Sequence, residues 1–242
     1  MRSHFQILVV MFAAATAAAQ DPGASPSPTS VDAATVPFKK LLDATSEGVL
    51  KGDPVAQYVL GTLLEENGLH ADASEWYRKA AEQGSGLAQG SLGQLLLQGR
   101  GLPQDFSEAA KWSIAAANQG DPLGMLNLAL MHGLGHGYAI DRKEASKWAL
   151  RAAELDCSKA GRLPAICAEA QALVAAAYLD GKGILQDYVQ AHMWANLASA
   201  ALPEHARKDA VDLRDAAARQ MTPEQIGQAQ TLAREWKPKQ SN

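Results

Sequence analysis

The stretch Ala88–Gly120, AQGSLGQLLLQGRGLPQDFSEAAKWSIAAANQG, decides the fold because its frame recurs along the chain. A tryptophan marks the same place in four copies: Trp76, Trp112, Trp148 and Trp194. The first three lie 36 residues apart, and the fourth follows after 46. An alanine stands three residues before each tryptophan and another four residues after it. A fixed period of about 20 to 50 residues indicates a repeat array, in which we expect the tryptophans to be core residues.

Each copy reads as two helices joined by a glycine turn. Small and apolar residues at i, i+4, i+5 and i+8 mark one face of the first helix. In the quoted copy these are Ala88, Leu92, Gly93 and Leu96. Paired glycines such as Gly99 and Gly101 follow, and glycine takes positive φ at a helix C-terminus without strain. One pair cannot bury its apolar face alone, so we predict an all-α, right-handed α/α solenoid of about four repeats with a C-terminal capping helix pair.

Acidic residues predict where the second helices begin. Each is followed three residues later by Glu or Gln, which is a capping box with Asp in place of Ser or Thr. The pairs are Asp105 and Glu108, Asp141 and Glu144, and Asp187 and Gln190. Their recurrence at helix starts favours capping over acid–base catalysis. Asp53-Pro54 and Asp121-Pro122 predict the starts of two first helices in the same way.

These signals divide the chain into segments. We predict a signal peptide at 1–19, a Pro/Ser/Ala-rich tether at 20–35 and an N-terminal capping helix at 36–51. The repeats are predicted at 52–83, 84–119, 120–156 and 165–201. Capping helices then cover 202–236, and 237–242 form a frayed tail.

The N-terminus is typical of an exported protein. Arg2, the apolar run Ile7–Phe12 and the alanines at 17–19 match the three regions of a cleaved signal. The rival interpretation is an uncleaved anchor, although its apolar core is short of the ~20 residues that span a bilayer. After cleavage no segment is apolar enough to span a membrane, and we expect a periplasmic protein. A net charge of −4 without basic runs predicts no nucleic-acid partner.

Two cysteines bracket the stretch that lengthens the last tryptophan spacing. Export permits a disulfide between Cys157 and Cys167, which would stabilise the inserted loop by roughly 2–3 kcal/mol. The alternative is a pair of buried free thiols. Either state is structural.

The sequence holds no recognised catalytic set. Ser-x-x-Lys, G-x-S-x-G, H-E-x-x-H, C-x-x-C and the P-loop are all missing from it. His132 and His136 are spaced to share a metal on one helix face. However, His132 occupies the frame position of Leu96, and His136 falls in the glycine turn. We therefore predict no catalytic residue, no metal and no cofactor.

A binding face, if present, is expected on the first helices where the copies differ. The candidates lie one and three residues after the small frame position: Gln57, Val59, Gln89, Ser91, Met125, Asn127, Gln171 and Leu173. The alternative, left open, is that they are solvent-facing residues without a partner.

The repeated motif A-x-x-x-L-G-x-x-(Y/L)-x-x-G-x-G-x-x-x-D-x-x-x-A-x-x-W-x-x-x-A-A resembles the Sel1-like repeat, a relative of the tetratricopeptide repeat. The resemblance covers about residues 52–201 and is carried best by the quoted copy and by residues 170–200, AQALVAAAYLDGKGILQDYVQAHMWANLASA. It implies a solenoid whose first helices line a concave face, used as a scaffold or adaptor for other proteins.

The resemblance leads to one main hypothesis and two others. The main one is an exported, non-enzymatic scaffold that binds a protein or peptide through the concave face, for example to regulate an envelope sensor or assembly. The alternative is a peptidoglycan- or penicillin-binding, β-lactamase-like protein of the cysteine-rich Sel1-like type, although this chain lacks a cysteine pair in each repeat. The third is an effector secreted beyond the envelope.

Overall fold

The computed structural model describes residues 48–49, 51–156 and 163–239. Ten helices lie within these ranges: α1 (Pro54–Glu66), α2 (His70–Glu82), α3 (Gly86–Gln98), α4 (Phe106–Asn118), α5 (Pro122–Leu134), α6 (Arg142–Ala153), α7 (Leu163–Asp180), α8 (Tyr188–Ala201), α9 (Glu204–Ala218) and α10 (Pro223–Glu235). The predicted all-α repeat fold of the solenoid class is thus confirmed. Helices α1 to α8 form the four predicted pairs, and α9 and α10 follow them.

The predicted N-terminal segments fall mostly outside the described residues. This applies to the signal peptide (1–19), to the tether (20–35) and to most of the capping helix (36–51), of which Gly48 and Val49 are helical. Within the described ranges, no helix combines the length and the apolarity that a membrane crossing requires.

The helices belong to two compact units that divide after Gly124. In the N-terminal unit, consecutive helices from α1 to α4 pack against each other. In the C-terminal unit, α7 packs against α6, α8 and α9, and α8 also packs against α9 and α10. Helix α8 therefore contacts both of the helices that follow the last repeat.

Alanine fills the recurring buried positions of the helices. The eight frame alanines that flank the tryptophans are all buried: Ala73, Ala80, Ala109, Ala116, Ala145, Ala152, Ala191 and Ala198. A methyl side chain lets two helices approach closely at little cost in side-chain entropy. The periodic alanines therefore lie at the core positions that the sequence frame indicates.

Local capping sets the start of the second helix in repeats two to four, as predicted, whereas α2 begins after Leu69 without a side-chain cap. The carboxylates of Asp105, Asp141 and Asp187 accept the backbone N–H three residues later at 2.9–3.0 Å. This hydrogen bond, donated by Glu144 N–H, lowers the pKa of Asp141 below its usual value.

The second half of the predicted capping box is replaced by a contact to the first helix. The backbone N–H of each N-cap aspartate donates to a first-helix carbonyl, at Leu96, His132 or Tyr178, over 2.9–3.1 Å. In a complete capping box, the side chain of the Glu or Gln three residues later would accept the hydrogen bond from this N–H instead. The complete box forms only at Thr222 and Gln225 among the described helices.

Paired glycines shape the turn inside the second, third and fourth repeats. Gly99 and Gly101 have φ of 67° and 77°, and Gly181 and Gly183 have 66° and 85°. A Cβ on Gly101 would lie 2.3 Å from the carbonyl carbon of His70, and one on Gly183 would lie 2.0 Å from the carbonyl oxygen of Arg142. The second glycine therefore lets the turn pack on the start of the preceding repeat's second helix.

The predicted frayed tail is partly ordered. Lys239 N–H donates to the Glu154 carbonyl at 2.6 Å, and Asp156 N–H donates to the Lys239 carbonyl at 3.1 Å. The Lys239 ammonium also pairs with the Glu154 carboxylate at 2.7 Å. The prediction of a frayed end is wrong as far as Lys239, because backbone pairing with the end of α6 holds it.

Candidate functional site

The eight first-helix positions predicted to bind a partner lie mostly inside the protein. Seven of them are buried: Gln57, Gln89, Ser91, Met125, Asn127, Gln171 and Leu173. The eighth, Val59, is half-buried. The expectation of an accessible face is therefore corrected for seven positions, and contact of any of the eight with a partner stays a prediction.

Glutamines at this frame position hydrogen-bond neighbouring helices. Gln89 on α3 donates from Nε2 to the Ala81 carbonyl on α2 at 3.1 Å, and its Oε1 accepts from Gln119 Nε2 at 2.8 Å. Gln57 accepts from Gln83 at 2.7 Å, again joining a first helix to the end of its second helix. In the C-terminal unit, Gln171 donates to the Ala153 carbonyl at 3.4 Å. Gln89 and Gln171 thus each bond to a carbonyl at the end of the preceding repeat's second helix and join two repeats, whereas Gln57 bonds within its own repeat.

Two apolar side chains on the first helices of the N-terminal unit are accessible. They lie one residue before the small frame position, not after it. Val55 and Leu87 each precede the small frame residue and are 66% and 40% exposed. Two large apolar side chains at one frame position of consecutive first helices provide surface that a partner can bury.

The four tryptophans do not share one environment. Trp194 is 4% exposed and packs edge-on against Trp236, with ring centroids 5.8 Å apart. The other three are half-buried, so the prediction of core tryptophans fits Trp194 best. Lys79 lies 4.0 Å above Trp76, and Arg151 lies 4.5 Å above Trp148. A cation therefore covers one face of each of these two rings.

A shallow cleft lies beside the third half-buried ring, Trp112. Its volume is about 460 Å³, and Asp105, Glu108 and Lys111 contribute to its lining. Trp112 Nε1–H donates to Glu108 Oε1 at 3.1 Å, and Glu108 also pairs with Arg78 on α2. That hydrogen bond from Arg78 is the main cause that lowers the pKa of Glu108 below its usual value. The carboxylate is therefore ionised near neutral pH and fixes the indole.

A second cavity, which we name the α8–α10 pocket, lies in the C-terminal unit. It has a volume of about 290 Å³ and is lined by five polar side chains: His192, Asn196, Arg214, Gln230 and Arg234. His192 and Asn196 lie four residues apart on α8, as do Gln230 and Arg234 on α10, so each pair shares a helix face. Arg214 belongs to α9.

The sequence did not reveal this pocket. Its cationic residues lie 20 residues apart on two helices that were predicted only as caps. Their proximity depends on α9 and α10 both lying near α8, which no local pattern encodes. The one available signal was the departure of residues 203–236 from the repeat frame.

The two histidines weighed as metal ligands have different surroundings. The His132 ring stacks on Tyr138 with centroids 4.3 Å apart, and burial lowers the pKa of His136. Across residues 51–156 and 163–239, no three His, Cys, Asp or Glu side chains lie close enough to hold a metal ion.

Only one of the two cysteines predicted to form a disulfide lies within the described residues. Cys167 is buried in α7. Cys157 lies outside the described residues. The Cys157–Cys167 bridge therefore remains a prediction of the sequence.

Comparison with known proteins identifies the repeats. The Sel1 repeat model matches residues 54–85, 86–121, 122–157 and 168–201, more than half of the chain. No curated protein matches the sequence.

Solved structures show the same fold. A Sel1 repeat protein from Oxalobacter formigenes is 26% identical, with a TM-score of 0.57 over 80% of this chain and 77% of that one. The protective antigen c5321 of uropathogenic Escherichia coli, which displays an SLR fold, is 25% identical with a TM-score of 0.50. Coverage is 79% of this chain and 47% of the antigen, so the chain spans about half of the antigen's length.

The family match agrees with the four helix pairs, their glycine turns and their flanking alanines. Sel1 repeat proteins are generally non-enzymatic scaffolds that take part in protein–protein interaction. The chain belongs to the Sel1 repeat family.

Proposed function

We propose that this protein is an exported, non-enzymatic scaffold that binds a protein or peptide partner through its Sel1 repeats. The observation that carries the proposal is the array of four helix pairs, because stacked repeats provide an extended surface for a partner. The sequence pattern of residues 1–19 supports export to the periplasm, where the partner would be an envelope sensor or assembly.

The accessible contacts for this partner are Val55 and Leu87. The buried frame glutamines hold the first helices in position, and the exposed apolar side chains beside them supply area that becomes buried on binding. Burial of apolar surface contributes about 25 cal/mol per Å², so two such side chains matter measurably to affinity.

The test begins with photo-crosslinking in the native cell. A photoreactive amino acid replaces Leu87, and in a parallel strain it replaces Ile114, an exposed residue of α4. A protein that crosslinks from position 87 but not from position 114 is purified, and its binding to the purified chain is measured by titration calorimetry.

The Val55→Ser/Leu87→Ser double variant should weaken this binding at least about tenfold, whereas Ile114→Ser should leave it unchanged. Both variants change exposed positions and should keep the fold. Saturable stoichiometric binding of labelled penicillin or muropeptides, without a protein partner, would instead favour the cell-wall alternative. Export is tested separately by cell fractionation and by mass spectrometry of the protein isolated from cells. The N-terminal residue of that protein should be Gln20.

A further inference from the structure

The α8–α10 pocket concentrates positive charge on an acidic protein. The chain has a net charge of −4, yet Arg214 and Arg234 both line this one cavity. Guanidinium groups bind carboxylates in a planar, bidentate geometry. Asn196 and Gln230 add amide groups that both donate and accept hydrogen bonds, as the peptide groups of a polypeptide require.

A buried group at the pocket lacks a partner in the protein. His192 is 4% exposed, and its Nδ1 makes no hydrogen bond to any group of the described chain. Buried polar atoms in folded proteins nearly always have a partner, and an exception calls for an explanation such as strain, a buried water or a bound ion or ligand. The His192 ring lines the pocket, while its Nδ1 atom has almost no solvent-accessible surface.

Charge around the pocket suits an anion of single charge. Arg214 donates from Nε and Nη2 to Asp215 Oδ1 at 3.0 and 2.9 Å, so Asp215 offsets one of the two cations. Burial, together with the charge of Arg214, lowers the pKa of His192 and favours the neutral imidazole. One net positive charge matches a carboxylate better than a doubly charged phosphate.

We propose that the α8–α10 pocket binds a carboxylate of a partner polypeptide, either its C-terminus or an acidic side chain. Arg214 and Arg234 hold the anion. Asn196 and Gln230 bond to it and to the adjoining peptide groups, and the His192 ring packs beside it. The polypeptide origin of the carboxylate rests on the proposed scaffold function, whereas the anion site itself does not.

The test uses small probes and the isotope-labelled full chain. N-acetylalanine carries one peptide group and one carboxylate, and N-acetylalanine amide is its uncharged match. We expect N-acetylalanine to shift the Arg214 and Arg234 Nε–H signals and the His192 imidazole nitrogens saturably. The amide should bind about tenfold more weakly or less, because it lacks the charge-assisted hydrogen bonds.

Variants assign the binding to the pocket. Arg214→Gln and Arg234→Gln should each weaken N-acetylalanine binding about tenfold, while Arg219→Gln, an exposed arginine outside the pocket, should not. Asp215→Asn should tighten binding about threefold, because it removes the competing carboxylate. A purely structural role of Arg214 predicts no such gain.

Several results would overturn the proposal. They are the absence of saturable shifts, equal binding of acid and amide, or tighter binding of inorganic phosphate than of N-acetylalanine. Acetate that binds as tightly as N-acetylalanine would assign the site to free small carboxylates and refute the polypeptide origin. If the crosslinked partner loses affinity for Val55→Ser/Leu87→Ser but not for Arg234→Gln, the pocket proposal fails and the scaffold function stands.

Discussion

At the scale of single residues, neighbouring chemistry decides whether a polar side chain serves packing or binding. Gln57, Gln89 and Gln171 occupy the same frame position in three copies, and the sequence alone predicted all three to lie on a binding or solvent-facing surface. In the folded protein, each lies beside helix-end groups that need hydrogen-bond partners. Gln89, with both amide atoms engaged, stabilises one arrangement of helices.

Replacement of Gln89 by alanine should lower the free energy of unfolding by about 2 kcal/mol, because one buried and one part-buried hydrogen bond and their packing are lost. Urea denaturation measures the change. The control is Gln94→Ala, a half-buried position of the same helix, where a change within about 0.5 kcal/mol is expected. Unchanged stability of Gln89→Ala with loss of partner binding would return this residue to the binding face.

At the scale of helices, one carboxylate joins two repeats. Glu108 lies in the first turn of α4, accepts from Trp112 in the next turn and pairs with Arg78 of α2. Its pKa is lowered in the folded protein, first of all by the hydrogen bond from Arg78. The pair is about one-third exposed, so solvent screening keeps its contribution modest.

Glu108→Gln should reduce stability at pH 7 by about 0.5 kcal/mol. A carboxylate with a lowered folded pKa stabilises the protein above its unfolded pKa, and this contribution disappears as the pH falls through the folded pKa. The difference between wild type and variant should therefore shrink once the pH drops below the usual glutamate value of 4.5. Denaturation curves from pH 7 to pH 3 check this. Glu75→Gln, at an exposed position of α2, serves as the control, and a difference constant with pH would contradict the assignment.

At the scale of the whole molecule, α9 and α10 cover the last repeat of the C-terminal unit. Both pack on α8, and each has a small apolar face: Ala210, Leu213 and Ala217 on α9, and Ala229 and Ala233 on α10. Trp236 contacts the buried Trp194 ring. These contacts agree with the capping role predicted for residues 202–236.

Truncation after Leu202 should lower Tm by about 10 °C or more and increase binding of a hydrophobic dye, because the covered side of α8 becomes exposed. Truncation after Lys239 keeps all described contacts and should leave Tm unchanged. Differential scanning calorimetry and dye fluorescence give the readouts. Equal Tm for the two truncations would show that α9 and α10 do not stabilise the repeats.

Much of the fold could be predicted because its signals are local. The aspartate caps bond to a backbone N–H three residues away, the turn glycines adopt positive φ, and the alanine period gives the helix faces. The candidate site was less predictable. Comparison of the four copies picked out first-helix positions that are not the same in every copy. A difference between copies does not distinguish a surface residue from one that bonds to the next helix.

The sequence by itself determined the Sel1 repeat frame, the helix pairs and most of their ends, since each depends on residues a few positions apart. The tertiary structure decided which positions remain accessible. It buried Gln57, Gln89 and Gln171, left Trp76 half-exposed while covering Trp194, and brought Arg214 and Arg234 together. The physical reason is that burial and charge clustering arise from contacts between helices, and those contacts join residues that lie far apart along the chain.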